Sequence, residues 1–247
     1  MIDLTLIAKK VSDGTFYNMK NDKSQYDFVK KQYSFGTRIV AIPKTKQLIE
    51  DLQTSRGPQC VNETIKTHDM DKLVEKFSVG TFEQHIERMN PILEKCNVRN
   101  NYYEIGFRTP HSLQVAQKHF KNVSGSDIIS ITIECAKYMG FNVFQHDLMC
   151  DDPLPIGESP DVIVAYHVLE HLYCPEKGLK KMRNAVNANA IMQVEVPIQP
   201  GEPSVRFAHL FAFENNDLCH MINECGGWEI LIATKQEGIE RYLCKAI

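Results

Sequence analysis

No stretch of this 247-residue chain approaches the roughly 18 to 20 consecutive apolar residues needed to cross a bilayer. Nothing therefore points to a membrane. The opening MIDLTLIAKK lacks a basic segment followed by an apolar one, so no secretory leader is expected and a cytoplasmic setting is. Among the eight cysteines no pair is spaced C-x-x-C, which argues against a zinc ribbon and a thioredoxin-like centre. Scattered through apolar segments of a long chain, they read as reduced thiols. Internal repeats and low-complexity tracts are missing. So is a strongly basic domain. Net charge is −3, with +3 on residues 1–100 and −6 on the remainder. That balance disfavours a nucleic-acid partner. The three-glycine dinucleotide fingerprint is also absent, which argues against a dehydrogenase. Nothing in the sequence sets an oligomeric state.

What is present divides in two. Residues 1–80 read as an N-terminal extension or cap. Within it, Lys9–Arg38 is basic and interleaved with Phe16, Tyr17, Tyr26, Phe28, Tyr33 and Phe35. An amphipathic cover packed on the main domain is the favoured reading; a lid or substrate-binding segment is the alternative. Thr37–Ile42 is expected as a strand ended by Pro43. Lys44–Leu52 is expected as a helix that Arg56-Gly57-Pro58 stops. Met70–Phe77 and Thr81–Lys95 are helical by apolar spacing.

Residues 81–247 form the second unit. Strands are expected at Tyr102–Ile105, Asn122–Ser126, Asn142–Gln145, Asp161–Tyr166, Ala190–Val196, Trp228–Ala233 and Arg241–Ala246. Helices are expected at Ser112–Phe120, Ile131–Met139, Pro175–Asn187 and Asn215–Cys225. Such alternation predicts an α/β, Rossmann-like, mainly parallel seven-stranded sheet with helices on both faces. Ligands of these sheets bind beyond the carboxyl ends of the strands, so the loops there are the ones to read for chemistry.

The loop after the first of these strands is Glu104-Ile105-Gly106-Phe107-Arg108-Thr109-Pro110. Gly106 permits close approach of backbone to a ligand. Asp127 follows 21 residues later, the spacing at which a carboxylate accepts from ribose hydroxyls; a helix N-cap is the plainer alternative. Asp147 and Leu148 end the third strand, placed for an exocyclic amine and a ring, or simply for a turn. The fourth strand runs into His167-Val168-Leu169-Glu170-His171. Three ionisable groups so close together at a strand end are costly unless used. If the segment is helical, His167 and His171 share a face. His171 is then a general-base candidate, and His167, Glu170 and His171 also suit a divalent metal.

The run DVIVAYHVLEHLYCPEKGLKKM resembles the fourth-strand region of class I S-adenosylmethionine-dependent methyltransferases. The series EIG, Asp127, HDL, HVLEHL, VEVP, HLFAF and GGW resembles that family in order and spacing over residues 81–247. The resemblance implies S-adenosylmethionine as cofactor. Glu104 and Gly106 would line its methionine part, and Asp127 its ribose with Ile128 beside the adenine. Asp147 and Leu148 would meet the adenine amine and ring, with Tyr166 and His167 beneath the sulfonium. Arg108 and Pro110 stand where the family carries glycines. Arg108 would then either pair with the cofactor's carboxylate or crowd the site. A later His209 matches a position near the acceptor, so His171, Glu170 and His209 are the catalytic candidates.

The leading expectation is O-methylation of a small hydroxylated acceptor; N-methylation is also compatible. Small-RNA 2′-O-methyltransferases have a similar E-x-x-E-H segment and a later His that hold a metal, with His167 here replacing the first Glu. That makes an RNA or nucleotide 2′-O-methyltransferase the alternative enzyme. The metal set His167, Glu170, His171 and His209 is not favoured, because its first position differs and H-x-x-E-H is common without a metal. A non-catalytic scaffold on the same fold is the third reading.

Overall fold

A computed structural model describes residues 22–49 and 82–247. The expected Met70–Phe77 helix, the break at Arg56-Gly57-Pro58 and the boundary at residue 80 lie outside them. Two strands, β1 (Tyr26–Tyr33) and β2 (Gly36–Pro43), form an antiparallel hairpin. Only the second was expected. The inward positions of β1 are Tyr26, Phe28, Lys31 and Tyr33, and this broken alternation, with lysines inside it, hides the strand from a period-2 reading. A helical turn at 46–49 follows.

The rest builds the expected architecture. Its strands are β3 (Asn101–Ile105), β4 (Asn122–Asp127), β5 (Asn142–Gln145), β6 (Val162–Tyr166), β7 (Ile191–Pro197), β8 (Trp228–Gln236) and β9 (Ile239–Ala246). They lie in the order β5-β4-β3-β6-β7-β9-β8; β9 runs antiparallel to β7 and β8, and the other pairings are parallel. Chain order reverses between β3 and β6, so the ligand crevice is expected at the carboxyl ends of that pair. Helices α1 (Phe82–Lys95), α2 (His111–Gln117) and α3 (Ser130–Tyr138) cover one face. Helices α4 (Pro175–Asn184) and α5 (Asp217–Cys225) cover the other.

The strand period sorts the core. Tyr102, Val162, Val164 and Tyr166 pack toward α1–α3, while Tyr103, Ile163 and Ala165 pack toward α4 and α5. Central β6, VIVAY, is buried throughout because both of its faces are covered. Leu179 of α4 is fully buried, and truncating such a leucine costs about 2–5 kcal/mol. Within α4, Gly178 lies against Leu169 and Leu172; a Cβ there would stand 2.8 Å from Leu172. The glycine lets α4 settle on the turn that carries Glu170 and His171.

The hairpin is fastened to the same layer. Arg38 donates Nε and Nη2 to the two oxygens of buried Asp217 in α5, both at 2.6 Å. Val40 bridges Phe211, and the Ala41 amide donates to the Leu210 carbonyl at 2.9 Å. The hairpin thus packs on α5 and on the segment 210–211. The seven described cysteines form no disulfide. Among the described residues no helix is long and apolar enough to cross a membrane.

Candidate active site

The loop after β3 turns sharply. Gly106 has φ +68°, and a Cβ there would collide with Cγ2 of Val168. Arg108 also holds a left-handed φ, +47°, a backbone conformation that glycine adopts more readily. Its side chain is exposed. Its amide donates to Oδ2 of Asp127 at 2.8 Å, while the Ile129 amide donates to Oδ1 at 2.9 Å. Asp127 therefore clamps the glycine loop to the end of β4. Ile128 is half-buried beside it, with its carbonyl accepting from Gln145.

Glu104 is buried at the end of β3 and accepts from the Tyr102 hydroxyl at 3.1 Å. Burial pushes its carboxyl up to about 7, against the opposing pull of Ser112, Tyr102 and Arg88. Beside this loop stand buried polar atoms without a hydrogen-bond partner: Nε2 of His111 and, on α1, Nδ1 of His85. Sequence reasoning did not single out these two. The signal was available, since two histidines recur on helices that flank the glycine loop.

Asp147 opens a turn, accepting the Met149 amide at 2.8 Å. Leu148 is buried in the core with Leu169 and Leu172. Tyr166 is buried as well. Its hydroxyl donates to Gln193 at 2.6 Å, and the Arg88 guanidinium stands 4.5 Å from its ring centroid.

The fourth-strand segment does not meet the condition on which its two histidines would share a helix face. His167 takes φ +55°, and only Leu169–His171 turns, as a short 3-10 element. His167 and His171 therefore share no helix face. Both instead converge on Glu170. Its Oε1 lies 3.6 Å from Nδ1 of His167 and 3.8 Å from Nε2 of His171. His167 also places Nε2 3.0 Å from Glu195. The flanking carboxylates of Glu170 and Glu195 lift its imidazole to about 9, against the cost of burial.

Glu195, fully buried on β7, is the hub of this corner. It pairs with Arg88 of α1, with Arg241 of β9 at 2.5 Å, and with His167. Burial works to raise its pKa, but His167, Arg88 and Arg241 prevail and hold it at about 2. The sequence carried the signal in VEVP: a carboxylate in a buried strand demands partners.

A second histidine approaches from the segment after β7. Leu210 and Phe211 both donate their amides to the Glu170 carbonyl, at 2.7 and 3.0 Å. That stitch brings the ring of His209 to 5.0 Å from the ring of His171, centroid to centroid. Ala208, left-handed at φ +57°, turns its carbonyl to Nδ1 of His171 at 2.8 Å. A carbonyl only accepts, so Nδ1 carries the proton, and the neutral ring keeps its lone pair on Nε2. His209 bonds Oε1 of Gln199 through Nδ1 at 2.8 Å. Glu170, His171 and His209 thus bring one donor atom each within 4.8 Å of one another; His167 is not part of that group.

A family profile described as a methyltransferase domain matches residues 79–225. The chain belongs to the class I S-adenosylmethionine-dependent methyltransferase family. Solved methyltransferases share its fold. CalS10, an amino pentose methyltransferase from Micromonospora echinaspora, is 10% identical with a TM-score of 0.57 over 72% of this chain and 97% of that one. An S-adenosylmethionine-dependent methyltransferase from Clostridium acetobutylicum is 13% identical, TM-score 0.54, over 74% and 98%. The N-methyltransferase NodS from Bradyrhizobium japonicum is 13% identical, TM-score 0.53, over 69% and 90%. At these identities the likeness is one of fold. No curated protein sequence matches the chain.

Proposed function

We propose that this methyltransferase holds S-adenosylmethionine across the carboxyl ends of β3, β4 and β6 and methylates an oxygen of a small hydroxylated acceptor. The residues present fit such a cofactor. The left-handed glycine loop gives close backbone approach, Asp127 lies beside it, and the unpartnered Nε2 of His111 offers a polar contact to an amino-acid end. In this reading Glu104, Gly106 and Arg108 line the methionine part, and Asp127 with Ile128 the ribose and adenine edge. Asp147 and Leu148 meet the adenine, with Tyr166 and His167 below the reacting centre. Once bound, the cofactor supplies a methyl group already activated on a sulfonium sulfur. The protein's share is alignment of the acceptor and handling of its proton.

The observation that carries the oxygen acceptor is the orientation of His171. An amine attacks through a lone pair it already has, whereas a hydroxyl is a weak nucleophile until its proton is drawn off. With Nδ1–H fixed on the Ala208 carbonyl, Nε2 of His171 is oriented as the acceptor of that proton. Glu170 stabilises the resulting imidazolium and His209 borders the same corner. Solved methyltransferases of this fold include an amino pentose enzyme, which supports a small-molecule acceptor.

Calorimetric titration with S-adenosylmethionine and S-adenosylhomocysteine tests the cofactor; micromolar affinity, about −8 kcal/mol, is expected. Screening hydroxylated and amine acceptors with wild type and His171→Asn tests the rest. The variant should bind cofactor normally and lose roughly 10²-fold or more in transfer to oxygen. A fully active variant removes His171 as the base.

A further inference from the structure

Two imidazoles beside the glycine loop hold buried nitrogens with no partner among the described residues. His111, the first residue of α2, is 5% exposed; its Nδ1 bonds Oγ1 of Thr109 at 3.0 Å, and its Nε2 is left over. His85 of α1 leaves Nδ1 in the same condition. The two rings lie 6.4 Å apart, centroid to centroid, with planes inclined by 27°, and the Phe82 ring stands edge-on to His111 at 5.2 Å. An unmade hydrogen bond at a buried nitrogen is costly. Two of them on facing helices, beside a loop shaped for close approach, point to a ligand that completes both. Arginine is the side chain that best fits a carboxylate, but the arginines here are otherwise engaged. Arg88, one turn from His85 on α1, is buried against Glu195. Arg108 exposes its side chain and gives its amide to Asp127. An anion entering beside the loop therefore meets imidazoles.

We propose that His85 and His111 receive the carboxylate of the cofactor's amino-acid end in place of an arginine, and that the pair takes up a proton as it does so. The inference rests on the cofactor reading above. A buried anion needs a compensating positive charge, and an imidazole supplies one by binding a proton. In the free protein both rings are neutral at pH 7. Burial holds His85 at about 4, with Arg88 on its own helix and His111 on α2 adding to the effect and Glu195 of β7 opposing it. For His111 burial alone lowers the pKa. A carboxylate beside the rings reverses that balance, because it favours the charged form. The cofactor's ammonium acts in the opposite sense on Glu104, which burial pushes up to about 7 and which would shed its proton to the solvent. By pH 8 Glu104 is already mostly ionised, so proton uptake at that pH belongs to the histidines. Cofactor affinity then falls as pH rises above neutrality.

The test is calorimetry on the full chain at pH 8, in buffers of different ionisation enthalpy, which counts protons exchanged on binding. S-adenosylhomocysteine carries the amino-acid end; 5′-methylthioadenosine lacks it. Wild type should bind the first with net proton uptake and the second with none. His85→Gln and His111→Gln, each checked for native circular dichroism, should weaken S-adenosylhomocysteine by roughly tenfold or more and leave 5′-methylthioadenosine within about twofold. The double variant should show no uptake. Glutamine keeps a donor but cannot be charged, so a merely structural role would not remove the proton. Wild type that binds S-adenosylhomocysteine without taking up a proton overturns the inference and leaves the cofactor reading standing. Variants that bind S-adenosylhomocysteine like wild type, or lose both ligands equally, overturn it too. A wild-type chain that binds neither ligand sinks the cofactor reading, and the inference with it.

Discussion

The imidazole of His167 stands 3.0 Å from the carboxylate of Glu195, and the His167 amide donates to the Glu195 carbonyl at the same distance. Side chain and backbone thus hold one residue in a left-handed conformation. Together with Glu170, the larger influence on its imidazole, this pairing makes stability depend on pH. The folded pKa of His167 is about 9, above its ordinary 6.5. Its contribution is therefore complete below about pH 6.5 and lost as pH rises through about 9. Urea midpoints should fall between pH 7 and 9.5, and His167→Gln should flatten that fall. A wild-type midpoint constant over the window rejects the ion pair.

Glu195→Gln should be strongly destabilising. It leaves Arg88 and Arg241 facing each other across a buried position with no anion between them. Breaking a buried pair by removing one partner costs about 3–5 kcal/mol. Equilibrium urea denaturation reads this directly. A loss below about 1 kcal/mol would show that Glu195 is not the hub of the corner.

Gly106→Ala should destabilise the fold by about 1–3 kcal/mol, from the left-handed backbone and from its collision with Val168. Cofactor affinity should fall at least tenfold. Adding Val168→Ala should recover part of the stability by removing the colliding methyl, leaving the backbone strain. Thermal melts and calorimetry on the single and double variants separate the two effects. No recovery in the double variant would mean that the collision is not what the glycine avoids.

Asp127→Ala should abolish measurable binding of S-adenosylmethionine. It also removes both backbone clamps on the glycine loop, from Arg108 and Ile129. Asp127→Asn, which keeps one acceptor oxygen, should retain more of the loop's order and less than a tenth of the affinity. Unchanged calorimetric affinity in the alanine variant sinks the ribose assignment.

Much of this was legible from spacing. All seven strands of the main sheet were placed to within a few residues, because VIVAY and IMQVEVP are buried on both faces and leave no ambiguity of period. Helix α2, expected to reach Phe120, ends at Gln117, since end positions follow local capping more than pattern. Glu170, His171 and His209 were named from sequence and are close together in space. Hidden from it was everything set by a single backbone angle. The φ of His167 sends that side chain to Glu195 rather than along a helix, and the φ of Ala208 aims a carbonyl at His171. Arg88 and Arg241 were hidden for another reason: they reach Glu195 from elements 107 and 46 residues away.

The stitch between the Glu170 carbonyl and the amides of Leu210 and Phe211 has an evolutionary consequence. The stretch 200–202 leaves the sheet beyond Gln199, whose side chain holds His209, and the chain returns at a segment, 210–211, that backbone atoms pin to Glu170. Backbone hydrogen bonds are indifferent to side-chain identity. The stretch can therefore diversify in sequence and length while His171 and His209 keep their separation, so the choice of acceptor and the machinery acting on it can change independently.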